Sequence, residues 1–438
     1  MLAYQLRIAW KSLMRNPGHS LIVAGGIALG VAVSTLFATV RHSFAKDPIP
    51  EKSDSLYYVR MDSWGPHEGY PGDTISPQVT YQDMNGLMRS DIPVRQSGMF
   101  KAQLYVFPDA KIGRPQREIV RLCFADFFGM FDVPFKYGSA WDEKADKGPE
   151  PVVVLSEEMN ERLFGGENSV GRSVRIENRH FRVVGVLDRW RPGIKFYDLT
   201  QAQVQAPEPV YIPFEFVRAM ELRTAGNSDG WKSPDQRGFA GFLASETTWI
   251  QFWVELPTAQ HLERYRAFVD AYTLEQRKGG RFQRPLDNRV TSIPDLMKEL
   301  NIVPKEANAT MVVSLLFLLI CSLNLIGLLL GKLLARGSEI GVRRAMGARR
   351  LDVFMQHILE CELVALAGGA VGLLLALGGI EAVNLWTKTM FQRDDFFRID
   401  WTMAGFAAVA ALVAGLVAGA YPAFRVCRIA PAVHLKSQ

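Results

Sequence analysis

Residues 307–331 read ANATMVVSLLFLLICSLNLIGLLLG, and residues 332–352 continue KLLARGSEIGVRRAMGARRLD. The first stretch is 25 residues without a charge, enough as a helix to cross roughly 30 Å of hydrocarbon. The second is crowded with cations. A long apolar helix that delivers the chain into a short basic segment is the pattern of a membrane span followed by a loop that stays on the side where it was made.

Three further uncharged runs match the first: Leu21–Val40, Leu363–Ile380 and Trp401–Phe424. They predict an α+β membrane protein with four transmembrane helices and one large mixed α/β domain. The expected boundaries are a cytoplasmic amphipathic helix at 1–19, spans at 20–40, 307–331, 358–383 and 401–424, and a periplasmic domain at 41–306. A coupling loop at 332–357, a periplasmic loop at 384–400 and a cytoplasmic tail at 425–438 complete the chain. A hydrophobic content of 48% and four cysteines, one of them in 41–306, exclude an ordinary soluble enzyme, a disordered chain and a disulfide scaffold.

The net charge of +5 does not point to nucleic acid, because the positive charge is concentrated beside the spans. Residues 1–19 carry +3, 332–357 carry +4 and 425–438 carry +3, which leaves −5 for everything else. Short basic flanks resist translocation, so both termini and 332–357 are expected in the cytoplasm of a bacterial inner membrane protein. The first apolar run exceeds the core of a cleavable signal peptide and is read as an uncleaved anchor.

Within 41–306, Leu56–Met61, Gln103–Phe107, Trp249–Leu256 and Arg289–Ile293 read as strands, and Val79–Arg89 and Thr258–Arg277 as helices. These β-α-β pieces from the two ends predict one porter-like subdomain. Val152–Leu155, Ser173–Glu177 and Phe181–Leu187, with a helix capped by Ser156 and running to Phe164, predict an inserted strand-rich subdomain. The Pro/Gly-rich stretch 226–241 predicts a loop.

Catalytic patterns are missing. There is no G-x-x-x-x-G-K-[ST], H-E-x-x-H, C-x-x-C or G-x-S-x-G, and the S-x-x-K at Ser43 and Lys46 stands without companion motifs. No catalytic residue, metal site or cofactor is expected in this chain. Within the spans, three small-residue pairs, Gly26/Gly30, Gly368/Gly372 and Gly415/Gly419, have the spacing that lets helices approach closely. Glu360 and Glu362 stand at the inner mouth of the third span, where headgroups or nearby arginines can meet them. In 336–352, Ser338 can cap a short helix and Gly347 can end it, presenting Ile340, Val342 and Met346 among cations.

The segment R-G-S-E-I-G-V-R-R-A-M-G-A, followed by Gln356, Glu360 and Gly368, Gly369 and Gly372, resembles the signature of MacB/FtsX-type ABC transporter permeases. Leu13-Met14-Arg15-Asn16-Pro17 before the first span and Tyr421-Pro422-Ala423-Phe424-Arg425 through Pro431-Ala432 resemble the same family. So do Val154-Leu155-Ser156-Glu157, Leu163-Phe164-Gly165, Val170-Gly171-Arg172 and Phe181–Leu187 in the large domain. The resemblance implies a permease moved by cytoplasmic ABC ATPase subunits that bind ATP and Mg, paired with a second permease that is the same chain or a paralogue.

The resemblance assigns ATPase docking to Glu339, Ile340, Gly341, Arg343, Arg344, Ala345, Met346 and Gly347. Because only 19 residues precede the first span, ATP hydrolysis is expected from a separate chain. ATP-driven motion would then be transmitted to the periplasmic domain for export or extraction of a peptide, antibiotic, siderophore or lipoprotein, with a periplasmic adaptor and outer-membrane factor as further partners. The alternative is a regulatory or signalling membrane protein that controls a cell-wall hydrolase or senses an antibiotic. A proton-coupled carrier using Glu360 or Glu362 is disfavoured because one chain offers only four spans.

Overall fold

Strand alternation and helix caps set most of the architecture, seen here in a computed structural model. The structure describes residues 17–67, 69–70, 75–107, 115–199, 204–334, 342, 346–391, 393 and 395–427. The chain forms two units, Asp47–Ile302 and the spans with their flanks, Met1–Lys46 plus Val303–Gln438.

The strands are Leu56–Met61 (β1), Val79–Thr80 (β2), Arg95–Phe107 (β3), Gln116–Cys123 (β4), Phe135–Gly138 (β5) and Val152–Leu155 (β6). Ser173–Ile176 (β7), Arg179–Leu187 (β8), Val210–Pro213 (β9), Thr248–Glu255 (β10) and Asn288–Ser292 (β11) complete them. The helices begin with Pro17–Ala45 (α1), Tyr81–Leu87 (α2), Asp126–Met130 (α3), Glu143–Lys147 (α4), Glu157–Phe164 (α5) and Phe216–Ala219 (α6). Gly238–Leu243 (α7), Ala259–Lys278 (α8), Ile293–Glu299 (α9), Lys305–Leu334 (α10), Arg350–Phe391 (α11) and Trp401–Cys427 (α12) follow.

All strands of the large unit share one mixed sheet in the order β11-β1-β10-β3-β4-β9-β6-β8-β5, with β2 on β10 and β7 joining β3 and β8. The β-α-β pieces predicted from the two ends of the segment meet in β11-β1-β10-β3. The inserted middle strands occupy the other half, reached through β4, which pairs with β9 in parallel. Several local expectations hold to the residue: β1 and β6 have the predicted bounds, and Ser156 Oγ accepts from Met159 N at the start of α5. β3 is much longer than the predicted Gln103–Phe107. Its first half includes Gly98, where a Cβ would stand 2.6 Å from Met84 Cγ of α2, so glycine here permits close helix packing rather than a turn. The loop expected over 226–241 ends at residue 237, because 238–241 already belong to α7, and within it Asp229 bridges to Thr248 of β10. Trp231 ties the stretch down by donating to Ser63 O at 3.1 Å.

Strand periodicity separates two faces. Val59, Met61, Phe100, Ala102, Val120, Leu122, Phe252 and Val254 face one apolar core. Their neighbours point the other way into an aromatic layer, where Tyr58 and Trp253 lie 4.9 Å apart and Phe131 packs edge-on against Trp253. A buried ion cluster lies on this second side. Arg121 of β4, fully buried, donates to Asp198 at 2.6 Å and to Glu208. Lys195 donates to Glu208 at 2.5 Å, and Lys101 stands 3.5 Å from Asp198. Burial alone would raise both carboxyls. Arg121 and Lys195 instead hold Asp198 well below the usual carboxylate range and Glu208 at about 2.

Asp146 of α4 shows the opposite balance. It accepts from Ala125 N at 2.9 Å and Trp141 Nε1 at 2.8 Å, yet burial pushes its carboxyl up to about 6. Burial likewise raises Asp126 and Glu215. Raised acids take up protons on folding, so their contribution is complete below the unfolded values near 4 and is lost as pH rises through the folded values. The depressed acids act mainly below that window. The large unit is therefore expected to melt a few degrees higher at pH 5.5 than at pH 7.5, by tryptophan fluorescence of the full chain, and Asp146→Asn should flatten the difference. A higher melting point at pH 7.5 would contradict this.

Candidate functional site: the span bundle and its coupling segment

Among the described residues four helices, α1, α10, α11 and α12, are long and apolar enough to cross a membrane. Their sequences are apolar around most of the circumference, which suits helices that face either lipid or each other. α1 runs to Ala45, past the predicted end at residue 40, because its polar last turn finds partners on neighbouring helices. Arg41 Nε donates to Asn308 Oδ1 at 2.8 Å, and His42 Nε2 lies 3.2 Å from Asp400 Oδ2. Asp400 Oδ1 also caps α12 by accepting from Met403 N at 3.1 Å.

α11 has 42 residues, about 63 Å at 1.5 Å per residue. It absorbs part of the predicted 384–400 loop, a correction with a local cause. Asn384 donates to Phe397 O at 2.9 Å and accepts from Phe397 N at 3.1 Å, so a polar residue that suggested a loop instead folds the following chain back onto the helix. Phe396 and Phe397 then pack against Phe44 of α1, with ring centroids 5.2 and 6.0 Å away.

The three glycine pairs lie on three different seams. Gly26 and Gly30 of α1 face α10, where a Cβ on Gly30 would stand 2.7 Å from Leu318 Cδ1. Gly368 and Gly372 of α11 face α1, where added Cβ atoms would stand 2.6 and 2.7 Å from the carbonyl oxygens of Ala24 and Ala28. Gly415 and Gly419 of α12 face α11 at Ala365 and Cys361, at 2.5 and 2.8 Å. A side chain missed by the glycine pattern adds a polar tie: Ser34 Oγ donates to Ser314 O of α10 at 3.0 Å. Serine in a span reads as a small residue, and only the neighbour's carbonyl reveals the bond.

At the other end of the bundle, Glu339, Ile340, Gly341, Arg343, Arg344 and Ala345 lie outside the described residues, as does Ser338. Val342 and Met346 are described, and Met346 N donates to Val342 O at 3.0 Å. Both side chains are exposed, Met346 at 76%. Gly347 follows with a left-handed φ of +101°, a conformation that ends a helix at little cost only for glycine. Asp352 then starts α11, accepting from Arg349 N at 3.2 Å. Ala348, Val353, Phe354 and Cys427 form a small apolar cluster that ties the start of α11 to the end of α12. Glu360 is buried and accepts from Gln356 at 3.4 Å, a partner on its own helix that arginine counting did not suggest. Among the described residues no group of three His, Cys, Asp or Glu side chains is placed to hold a metal ion.

The described residues offer an exposed apolar pair, Val342 and Met346, a few residues before a long helix. Residues 20–270 match the MacB-like periplasmic core domain, and residues 311–431 match the FtsX-like permease C-terminal domain. The chain is 26% identical over 444 residues to the pyoverdine export ATP-binding/permease protein PvdT of Pseudomonas aeruginosa, covering 99% of this chain and 58% of the relative. It is 24% identical over 471 residues to the macrolide export ATP-binding/permease protein MacB of Syntrophobacter fumaroxidans, covering 98% and 63%. The chain thus spans about six tenths of the length of these relatives. Among solved structures, the periplasmic region of MacB from Actinobacillus actinomycetemcomitans aligns with a TM-score of 0.36 and 14% identity, over 58% of this chain and 95% of that one. With both of its parts matched, one model covering more than half its length, the chain belongs to the MacB/FtsX-type ABC transporter permeases.

Proposed function

We propose that this chain is the membrane subunit of a mechanotransmission ABC exporter, driven by a separate ATPase chain that binds ATP and Mg and docks on the 338–347 segment. The observation that carries the reading is the exposed pair Val342 and Met346, set among cations and followed within a few residues by the unbroken helix α11. An apolar pair exposed at a helix end suits insertion into a groove on a partner, and surrounding arginines suit acidic groups on its rim. In this reading both termini are cytoplasmic, the large unit is periplasmic, and a second permease copy or paralogue completes the transporter. The cargo belongs to the class named for the relatives, a siderophore-like or macrolide-like molecule, with peptides and lipoproteins as further candidates. A periplasmic adaptor and an outer-membrane factor would extend the path outward.

The test is co-purification with a candidate ABC ATPase chain from the same organism. The pair should hydrolyse ATP and this chain alone should not. Met346→Glu and Arg343→Glu should each lower recovery of the ATPase at least tenfold while leaving the membrane yield unchanged. Undiminished recovery in both variants would refute the docking assignment, and protease access to the large unit from the cytosol would refute the orientation.

A further inference from the structure

The seam between α11 and α12 is built from small side chains. A Cβ on Gly369 would stand 2.5 Å from Ala411 Cβ, and the Gly415 and Gly419 positions are equally tight against Ala365 and Cys361. Ala411 lines the seam, and with Ala414 and Ala418 of the same helix it is almost fully buried. Into this wall of alanine and glycine points the carboxyl group of Glu362. Its Oε2 and Cδ would lie 3.2 and 3.3 Å from a Cβ at Gly415, so the absence of that Cβ leaves the space the carboxyl occupies. Oε2 is buried and has no hydrogen-bond partner.

Among the described residues no cation is placed to balance an ionised Glu362. On α11 the nearby titratable groups are His357, Glu360 and Cys361, and Glu360 is the one that accepts from Gln356. On α12 they are Tyr421, Arg425 and Cys427; Arg425 lies ten residues beyond Gly415, about 15 Å along the helix. On α1 no titratable residue stands between Ser20 and Val40, and the next toward the inner end is His19. Glu362 immediately precedes 18 uncharged residues, 363–380. Glu362 as a whole is half-buried, but an ionised Oε2 without donor or counter-ion is disfavoured in such surroundings, and a bilayer around the bundle removes water further.

We propose that Glu362 is a proton-binding site of the α11–α12 seam, occupied while the two helices are packed and vacated to water when they part. The carboxylate takes one proton from solvent as the seam closes, forming an O–H bond, and returns it when the seam opens and water solvates both oxygens. Movement of these helices is then coupled to one proton per chain without any proton crossing the membrane. The inference needs only the four-span bundle, and its test does not pass through ATPase docking.

Infrared spectra of the full chain reconstituted in phospholipid vesicles at pH 7 test it directly. The wild-type minus Glu362→Gln difference should show the carbonyl band of a neutral carboxylic acid, and the wild-type minus Glu360→Gln difference should lack that band, because Glu362 is present in both samples and cancels. Carboxylate stretching bands in the Glu362→Gln difference would overturn the proposal. If Glu362→Gln fails to fold, the wild type serves: dicyclohexylcarbodiimide should modify Glu362, found by peptide mass, with a yield falling at least tenfold between pH 6 and pH 9. A yield independent of pH, or no adduct, would overturn it equally.

Discussion

Replacing Arg121 with methionine is expected to destabilise the large unit by about 3–5 kcal/mol, among the largest effects available to a single substitution in this chain. The guanidinium is fully buried and bonded to Asp198 and Glu208, themselves buried. Methionine fills similar volume, so the loss is electrostatic: two carboxylates held far below their usual range would keep only Lys195 and Lys101 as counter-ions. Those lysines place the expected effect toward the lower end of the range. Cys123, two residues along β4 and fully buried, is the sole cysteine of the large unit and reports its opening. In a background with Cys321, Cys361 and Cys427 replaced by alanine, Arg121→Met should accelerate thiol labelling of Cys123 by about a hundredfold or more, the factor about 3 kcal/mol implies. Lys136→Ala removes a half-exposed partner of Glu157 and should change the rate by less than about fivefold, since such surface pairs are worth at most about 1 kcal/mol. Equal rates in the two variants would show that the cluster does not hold the unit together.

Gly368→Val should be nearly as damaging in the bundle. Its first added atom would stand 2.6 Å from the carbonyl oxygen of Ala24 and 3.2 Å from Ala24 Cα, both backbone atoms that cannot rotate away. α1 and α11 must therefore separate or shift along each other. Overpacking of this kind costs about 1–3 kcal/mol even for modest additions, and valine adds two more methyl groups. Gly378 lies further along the same helix with nothing within 4 Å of its Cβ position. Gly378→Ala should be neutral or stabilising by up to about 1 kcal/mol, because alanine is the better helix former. Thermal unfolding of the detergent-purified variants, followed by size-exclusion chromatography, separates the cases. The seam reading fails if Gly368→Val melts with the wild type.

The sequence made some of this legible for identifiable physical reasons. β1, β6 and the Ser156 cap are local: alternation and a capping hydroxyl act within a few residues, so their bounds could be read directly. The start of β3 was not, because Ser97 and Gly98 lack strand character until Met84 of α2 occupies the space above the glycine. Neither β4 nor the role of Arg121 was anticipated, since the partners of Arg121 lie 77 and 87 residues away. The glycine pairs announced close approach but could not name the neighbour, and the structure sends them to three different seams. The end of α11 was hidden for a related reason, as Asn384 and Thr387 look like loop residues but satisfy their hydrogen bonds inside the helix and its return.

The length of α11 sets what a small tilt can achieve. Its 42 residues contain no proline, whereas α12 carries Pro422 near its end. Pivoted at its first turn, a shaft of about 63 Å swings its far tip by about 5 Å for every five degrees of inclination, roughly one full pitch of an α-helix. Amplification of that size needs no flexible joint along the way, so stiffness rather than a hinge would govern how far a tilt at one end of the shaft is felt at the other.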